Sequence, residues 1–154
     1  MPWALGLLVA LLLPLGAVDA DAPPLEGTVV RIVDGDTIRV RLGDRVERVR
    51  YIGVNTPELH HPTRGEEPGG REAREVNRGL VEGRHVRLEV DVQSRDRYGR
   101  LLAYVWVGDV MVNAELVRLG FAQVMTVPPN VRHQALFVKL QRDARAARRG
   151  LWAG

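Results

Sequence analysis

From Gly27 onward the apolar positions fall into short alternating runs separated by turn residues. Val29, Val30, Ile32 and Val33 lead into Asp34-Gly35, after which Ile38, Val40 and Leu42 alternate with Arg39 and Arg41. A period of two marks a strand with one buried face, and Asp-Gly between β-branched runs marks a tight hairpin turn. Leu42-Gly43-Asp44 supplies the next turn, and Val46, Val49 and Tyr51 predict a third strand that ends at Thr56-Pro57, because proline cannot donate to a ladder. His60 to Gly70 holds two prolines and three glycines and reads as a loop.

Residues 71–81 then predict a helix, with Ala73, Val76, Leu80 and Val81 near helical spacing and Gly83 closing it. Val86, Leu88, Val90 and Val92 alternate as a fourth strand. Asp96-Arg97-Tyr98-Gly99-Arg100 is a turn, residues 101–107 are a fifth strand, and Val110-Met111 is a short extension. A second helix is predicted over 112–119, stopped by Gly120. Pro128-Pro129-Asn130 precedes a third over 131–149, with Leu136, Leu140 and Ala144 on one face. Five strands with a helix between the third and fourth, and helices at the end, predict an α+β fold: a five-stranded OB-type β-barrel with three helices.

The hairpin has a chemical consequence. Its return leg carries Arg50 through Glu58 back to the end where Asp34 and Asp36 sit. Three carboxylates, an amide, a hydroxyl and a guanidinium then share one rim, the inventory for holding a hard cation against a phosphate. Asp34 and Asp36 would also serve as plain turn residues. A turn needs only one acid, however, and two carboxylates flanking one glycine repel unless a cation is near.

The first twenty residues follow a different pattern. An apolar run from Trp3 to Leu15 is followed by small residues around Val18-Asp19-Ala20. This reads as a secretory signal peptide (1–20), although its start carries no lysine or arginine, and an uncleaved membrane anchor is the alternative. Residues 21–26 read as a linker and 27–154 as a single domain. Loss of Asp19 with the leader leaves 18 acids against 22 bases, a formal +4, and Lys139 is the single lysine. A basic, arginine-rich domain suits a polyanionic partner. No cysteine is present, so disulfides and thiolate metal sites are excluded.

Val33 to Thr37, Arg50 to Glu58, Asp96 to Arg100 and Met111 to Gly120 together resemble the motifs of the staphylococcal nuclease (thermonuclease) family, in order and spacing, over nearly the whole chain after residue 27. The resemblance implies a calcium-dependent phosphodiesterase that cuts DNA and RNA and leaves 3′-phosphates. Asp36, Asn55 and the Thr56 backbone carbonyl would hold the ion, with Asp34 in or near the outer shell. Glu58 would orient or deprotonate the attacking water, and Arg50 and Arg100 would clamp the scissile phosphate. Tyr98 would lie near the nucleotide pocket, either stacking on a base or packing on the barrel as a turn tyrosine.

Two departures stand out. Asn55 replaces an aspartate ligand, which weakens calcium or admits another divalent ion. The segment Val124 to Pro129 also lacks the family's further pocket tyrosines. His60, His61 and His133 read as loop residues. The expected product is a secreted or periplasmic monomer with DNA and RNA as substrates, no stable protein partner and no membrane association after cleavage. A non-catalytic OB module that binds nucleic acid or protein is the alternative.

Overall fold

The computed structural model describes residues 24–154. The expected leader and the first half of the expected linker lie outside the described residues. The elements run β1 (Leu25–Asp34), β2 (Thr37–Leu42), β3 (Arg45–Tyr51), β4 (Val54–Asn55), α1 (Gly70–Val81), β5 (His85–Glu89), β6 (Leu101–Val107), β7 (Val110–Met111), α2 (Val112–Arg118), β8 (Gln123–Val124) and α3 (Gln134–Ala146). β1 begins inside the expected linker because Leu25 and Glu26 pair with Leu88 and Arg87 of β5.

The main sheet is ordered β3-β2-β1-β5-β6-β7 and closes on itself through a parallel pairing of β3 with β6. This is the expected five-stranded barrel, with three helices around it. Closure needs a strongly coiled β1, and β1 carries two register shifts against β2, at Val29/Arg31 and Ile32/Asp34. Such bulges bend a strand and raise its twist. The alternation read from sequence sorts the side chains as expected: Ile38, Val40, Val49 and Tyr51 face a buried apolar interior shared with Val86, Ala103 and Val105.

Helix α1 points a mixed stripe inward. Ala73, Asn77 and Val81, spaced by four, are fully buried, and Val76 and Leu80 flank them. Asn77 accepts a hydrogen bond from the Tyr51 hydroxyl (2.7 Å) and donates one to the Asp34 carbonyl (2.9 Å). A buried amide with both functions satisfied holds its neighbours in one arrangement. Asn113, in the first turn of α2, does the same for the exit of β3. It accepts from the Val105 amide and donates to the Ile52 carbonyl, both at 2.9 Å.

The structure departs from the pattern in three places. The fourth strand ends at Glu89 and not at Val92, which is exposed. There the Asp91 carboxylate takes the Tyr104 hydroxyl (2.8 Å) and the amides of Val92 and Arg132, which pulls the chain off the ladder. Helix α3 is shorter than 131–149. Its inward positions are Phe137, Leu140 and Ala144; Leu136 faces out. His133 is not a loop residue of no consequence. It takes the N-cap position of α3 without a side-chain cap bond, meets Glu89 at 2.9 Å and stands edge-on to Tyr104, with ring centroids 4.5 Å apart.

That network makes stability pH-dependent. Burial pushes the Glu89 carboxyl up, but hydrogen bonds from Arg132, His133 and Trp106 outweigh it and hold it below the usual range. Asp91 is lowered in the same way by Tyr104 and the Arg132 and Val92 amides, again against burial. Carboxyls depressed in the folded state stabilise it above their unfolded values, and that stability is lost as pH falls through the folded ones. Thermal unfolding measured across pH should show Tm dropping below about pH 4. Glu89→Gln should lower Tm at neutral pH and flatten that drop; an equally steep drop would remove Glu89 from the acid response.

Candidate active site

The β2–β3 register sets the site. Thr37 lies opposite Arg50, and the Tyr51 amide donates to the Asp36 carbonyl at 2.9 Å, so the turn after β1 and the exit of β3 meet. Gly35 is required at this corner for space. A Cβ there would sit 2.7 Å from Thr56 Oγ1 and 2.9 Å from the Ala73 Cβ, so only a hydrogen lets α1 and the Thr56 segment close on the turn.

Asp36 is buried and taken by three groups. Its Oδ1 accepts from the Thr37 hydroxyl (2.9 Å), its Oδ2 accepts from the Thr56 amide (3.0 Å), and Arg50 Nη2 lies 3.3 Å from Oδ2. Asp34 is half-buried, and burial, followed by the Asp36 charge, raises its carboxyl above the usual range. Asp34 Oδ1 and Thr56 Oγ1 are buried with no hydrogen-bond partner. Two adjacent carboxylates, with one carboxylate oxygen and one hydroxyl oxygen buried and unmet, suit a hard cation, which takes oxygen ligands and relieves the repulsion between the acids. Among the described residues no group of three or more His, Asp or Glu side chains gathers to hold an ion. Neutral oxygens must therefore complete any shell.

Asn55 is such a donor, and it already accepts a hydrogen bond from Arg50 Nη2 at 3.2 Å. A carbonyl oxygen has a second lone pair, so this contact orients the amide without exhausting it. Arg50 itself is locked. Its Nη1 donates to the Tyr51 carbonyl (2.7 Å) and the Val54 carbonyl (2.8 Å), and its side chain is only 10% exposed. It is a fixed positive charge more than a mobile clamp.

Arg50 and Arg100 line the same cleft of about 440 Å³. Arg100 reaches it from the turn before β6, where Asp96 accepts from its Nε at 2.7 Å. Tyr98 stands at the same cleft, 67% exposed and therefore not packed on the barrel, with the Arg97 and Arg100 guanidiniums 4.8 and 5.6 Å from its ring centre. Glu58 is placed differently. It is exposed, lies two residues past Thr56, and is not among the cleft's lining residues. Its backbone is pinned, since its carbonyl accepts from the Glu67 amide at 2.8 Å and its amide donates to Glu67 Oε1 at 3.2 Å.

One corner thus holds two acids and an arginine fixed against Asp36, and a second arginine lines the same cleft. Comparison with known proteins places the chain in a family. The Staphylococcal nuclease homologue family model matches residues 48–154. The chain belongs to this family. It is similar to the thermonuclease of Staphylococcus intermedius, at 40% identity over 124 residues (80% of this chain and 74% of that one), and to the thermonuclease of Staphylococcus hyicus, at 38% over 125 residues (81% and 74%). It is also 37% identical over 128 residues to Endonuclease YncB of Bacillus subtilis strain 168, covering 82% of this chain and 61% of that one.

Against that family background, several contributors escaped the sequence reading. Asn77 ties the corner to α1. Met125 and Val127, both exposed, form the aliphatic wall of the cleft. Asn130 clips that wall in place, accepting from the Gln93 amide and donating to the Gln93 carbonyl, both at 2.8 Å. The Pro128-Pro129-Asn130 break announced a turn, but nothing local announced which backbone Asn130 would bind.

Proposed function

We propose that the protein is a secreted, divalent-cation-dependent nuclease that hydrolyses DNA and RNA and leaves 3′-phosphates. The observation that carries this reading is the corner where Asp34, Asp36, Asn55 and Thr56 meet Arg50 at the edge of a cleft that Arg100 also lines. The similarity to two thermonucleases and an endonuclease supports it. No helix among the described residues is long and apolar enough to cross a membrane. Export rests on the apolar leader of residues 1–20.

In this mechanism Asp36, the Asn55 side-chain carbonyl and the Thr56 backbone carbonyl would hold the cation, with Asp34 in or near its outer shell. The ion would supply charge neutralisation at the phosphoryl oxygens. The remaining work belongs to the chain. The scissile phosphate lies between Arg50 and Arg100, whose charges oppose the negative charge that grows on the phosphoryl oxygens during attack. Because Arg50 is already held by two backbone carbonyls, Asn55 and Asp36, it does not reorganise as that charge develops. Glu58 accepts the proton of the attacking water, or aligns it, from a loop whose backbone is fixed. Arginine is too weak an acid to protonate the leaving oxygen, so neither guanidinium is assigned that role. Contacts to phosphate carry no sequence information, so broad specificity follows. Tyr98, Met125 and Val127 offer the base one aromatic and two aliphatic surfaces.

A binding module without catalysis draws its support from Asn55, which lowers the negative charge of the corner. Product analysis separates the two readings. Denatured DNA incubated with the protein and a divalent ion should yield fragments whose 3′ ends a phosphatase converts to extendable hydroxyls; bound but intact DNA would favour the module. Asn55→Asp should tighten calcium by at least about tenfold by adding a charged ligand, measured by titration calorimetry. Unchanged affinity would place residue 55 outside the coordination shell.

A further inference from the structure

The outer face of β1, β2 and β3 carries an arginine ladder beside the corner. Arg31 lies directly opposite Arg39, and Arg39 directly opposite Arg48, so three arginines occupy one row across three adjacent strands. All three are exposed. Directly opposed residues share a face and stand close, and like charges so placed are destabilising. Among the described residues none of the three has a carboxylate partner, whereas Arg45, Arg71, Arg78, Arg95, Arg118 and Arg132 each have one. Glu47, the nearest acid on β3, is already bound by both terminal nitrogens of Arg95 at 2.8 Å. The uncompensated repulsion is what a polyanion would relieve.

The position of the row says which polyanion. Asp34, Thr37 and Arg50 form the row of the same three strands that lies at the corner. Along β2 and β3 the arginine row is two residues away, which keeps it on the same face at about 7 Å. The bulge at Ile32/Asp34 keeps β1 in step, so that Arg31 stays level with Arg39. Arg31 also walls a groove of about 370 Å³ between β1 and α1, lined further by Arg74, Arg78 and Glu82. Arg78 is neutralised there by Glu75 and Glu82, but the Arg74 Nε is buried without a partner.

We propose that Arg31, Arg39 and Arg48 form a subsite for the phosphates of the strand flanking the scissile bond, leading into the β1–α1 groove at Arg74. The proposal rests on the nuclease reading for the identity of the strand. Its consequence is that long strands are favoured over short ones through charge, independent of sequence.

The test is equilibrium binding of a fluorescent single-stranded oligonucleotide, long enough to span ladder and cleft, in chelator and across salt concentrations. The proteins compared are the wild type, R31Q/R39Q/R48Q and R31K/R39K/R48K. Each phosphate contact on a single strand contributes about 0.7 to the salt slope, so the glutamine variant should lose about 2 and the lysine variant should keep it. With a divalent ion present, the preference in kcat/KM for a long strand over a dinucleotide should fall about tenfold in the glutamine variant alone. An unchanged salt slope overturns the proposal. So does a glutamine variant that loses binding only to anionic lipid vesicles, which would assign the ladder to a membrane surface. Because binding is read in chelator, a reduced slope with no hydrolysis under any ion upholds the ladder and rejects the catalytic reading.

Discussion

Glu58→Gln is expected to lower turnover by about 10²–10⁴-fold, the range for losing a general base, while DNA affinity stays near wild type. The two side chains have the same shape, and the loop that carries residue 58 is held by its backbone. The Glu67 amide donates to the Glu58 carbonyl, and Gly70 packs so closely that a Cβ there would lie 2.9 Å from that oxygen. The substitution therefore removes a proton acceptor and a charge without moving the chain. Single-turnover rates on DNA, paired with binding in chelator, separate the two effects. Turnover within a few-fold of wild type would take Glu58 out of the chemistry.

The second large effect contrasts the two arginines. Arg50→Ala should cost both stability and activity, whereas Arg100→Ala should cost activity with little loss of stability. Removing Arg50 leaves the Tyr51 and Val54 carbonyls without their donor and the buried Asp36 without its cation. Breaking a buried pair from one side costs about 3–5 kcal/mol. Arg100 has one ion-pair partner, Asp96, which also accepts from the Tyr98 and Arg100 amides and keeps those bonds. Each fixed guanidinium at the phosphate is worth about 10²–10³ in rate. Urea unfolding with rates measured where both variants are folded checks the contrast. Equal stability loss in the two variants would refute the locking role of Arg50.

How much of this was legible beforehand follows from what kind of interaction was involved. The hairpin that joins Asp34-Gly35-Asp36 to Arg50 was readable because period-two alternation and a two-residue turn are local signals, and they set the register directly. The partners of Asn77 and Asn113 were not. Each sits on a helix and satisfies backbone groups of distant strands, so its meaning exists only once α1 or α2 is docked. The end of β5 is hidden in the sequence because Val90 and Val92 continue the alternation, while the competing pull comes from Asp91 meeting Tyr104 and the Arg132 amide far along the chain. On α3, Leu136 and Phe137 are adjacent and both apolar, and the pattern alone favoured the wrong one of the two. Arg50 was singled out for its charge, but its lock on the Tyr51 and Val54 carbonyls depends on how the chain curls after β3.

Release of acid-soluble nucleotides from denatured DNA, after chelation and then titration with calcium and other divalent ions, tests metal-dependent cleavage most directly. No release is expected in chelator, with restoration by calcium or by another divalent ion that tolerates Asn55, and loss of that restoration in Glu58→Gln. Release that persists in chelator, or binding without release under every ion, would contradict metal-dependent cleavage.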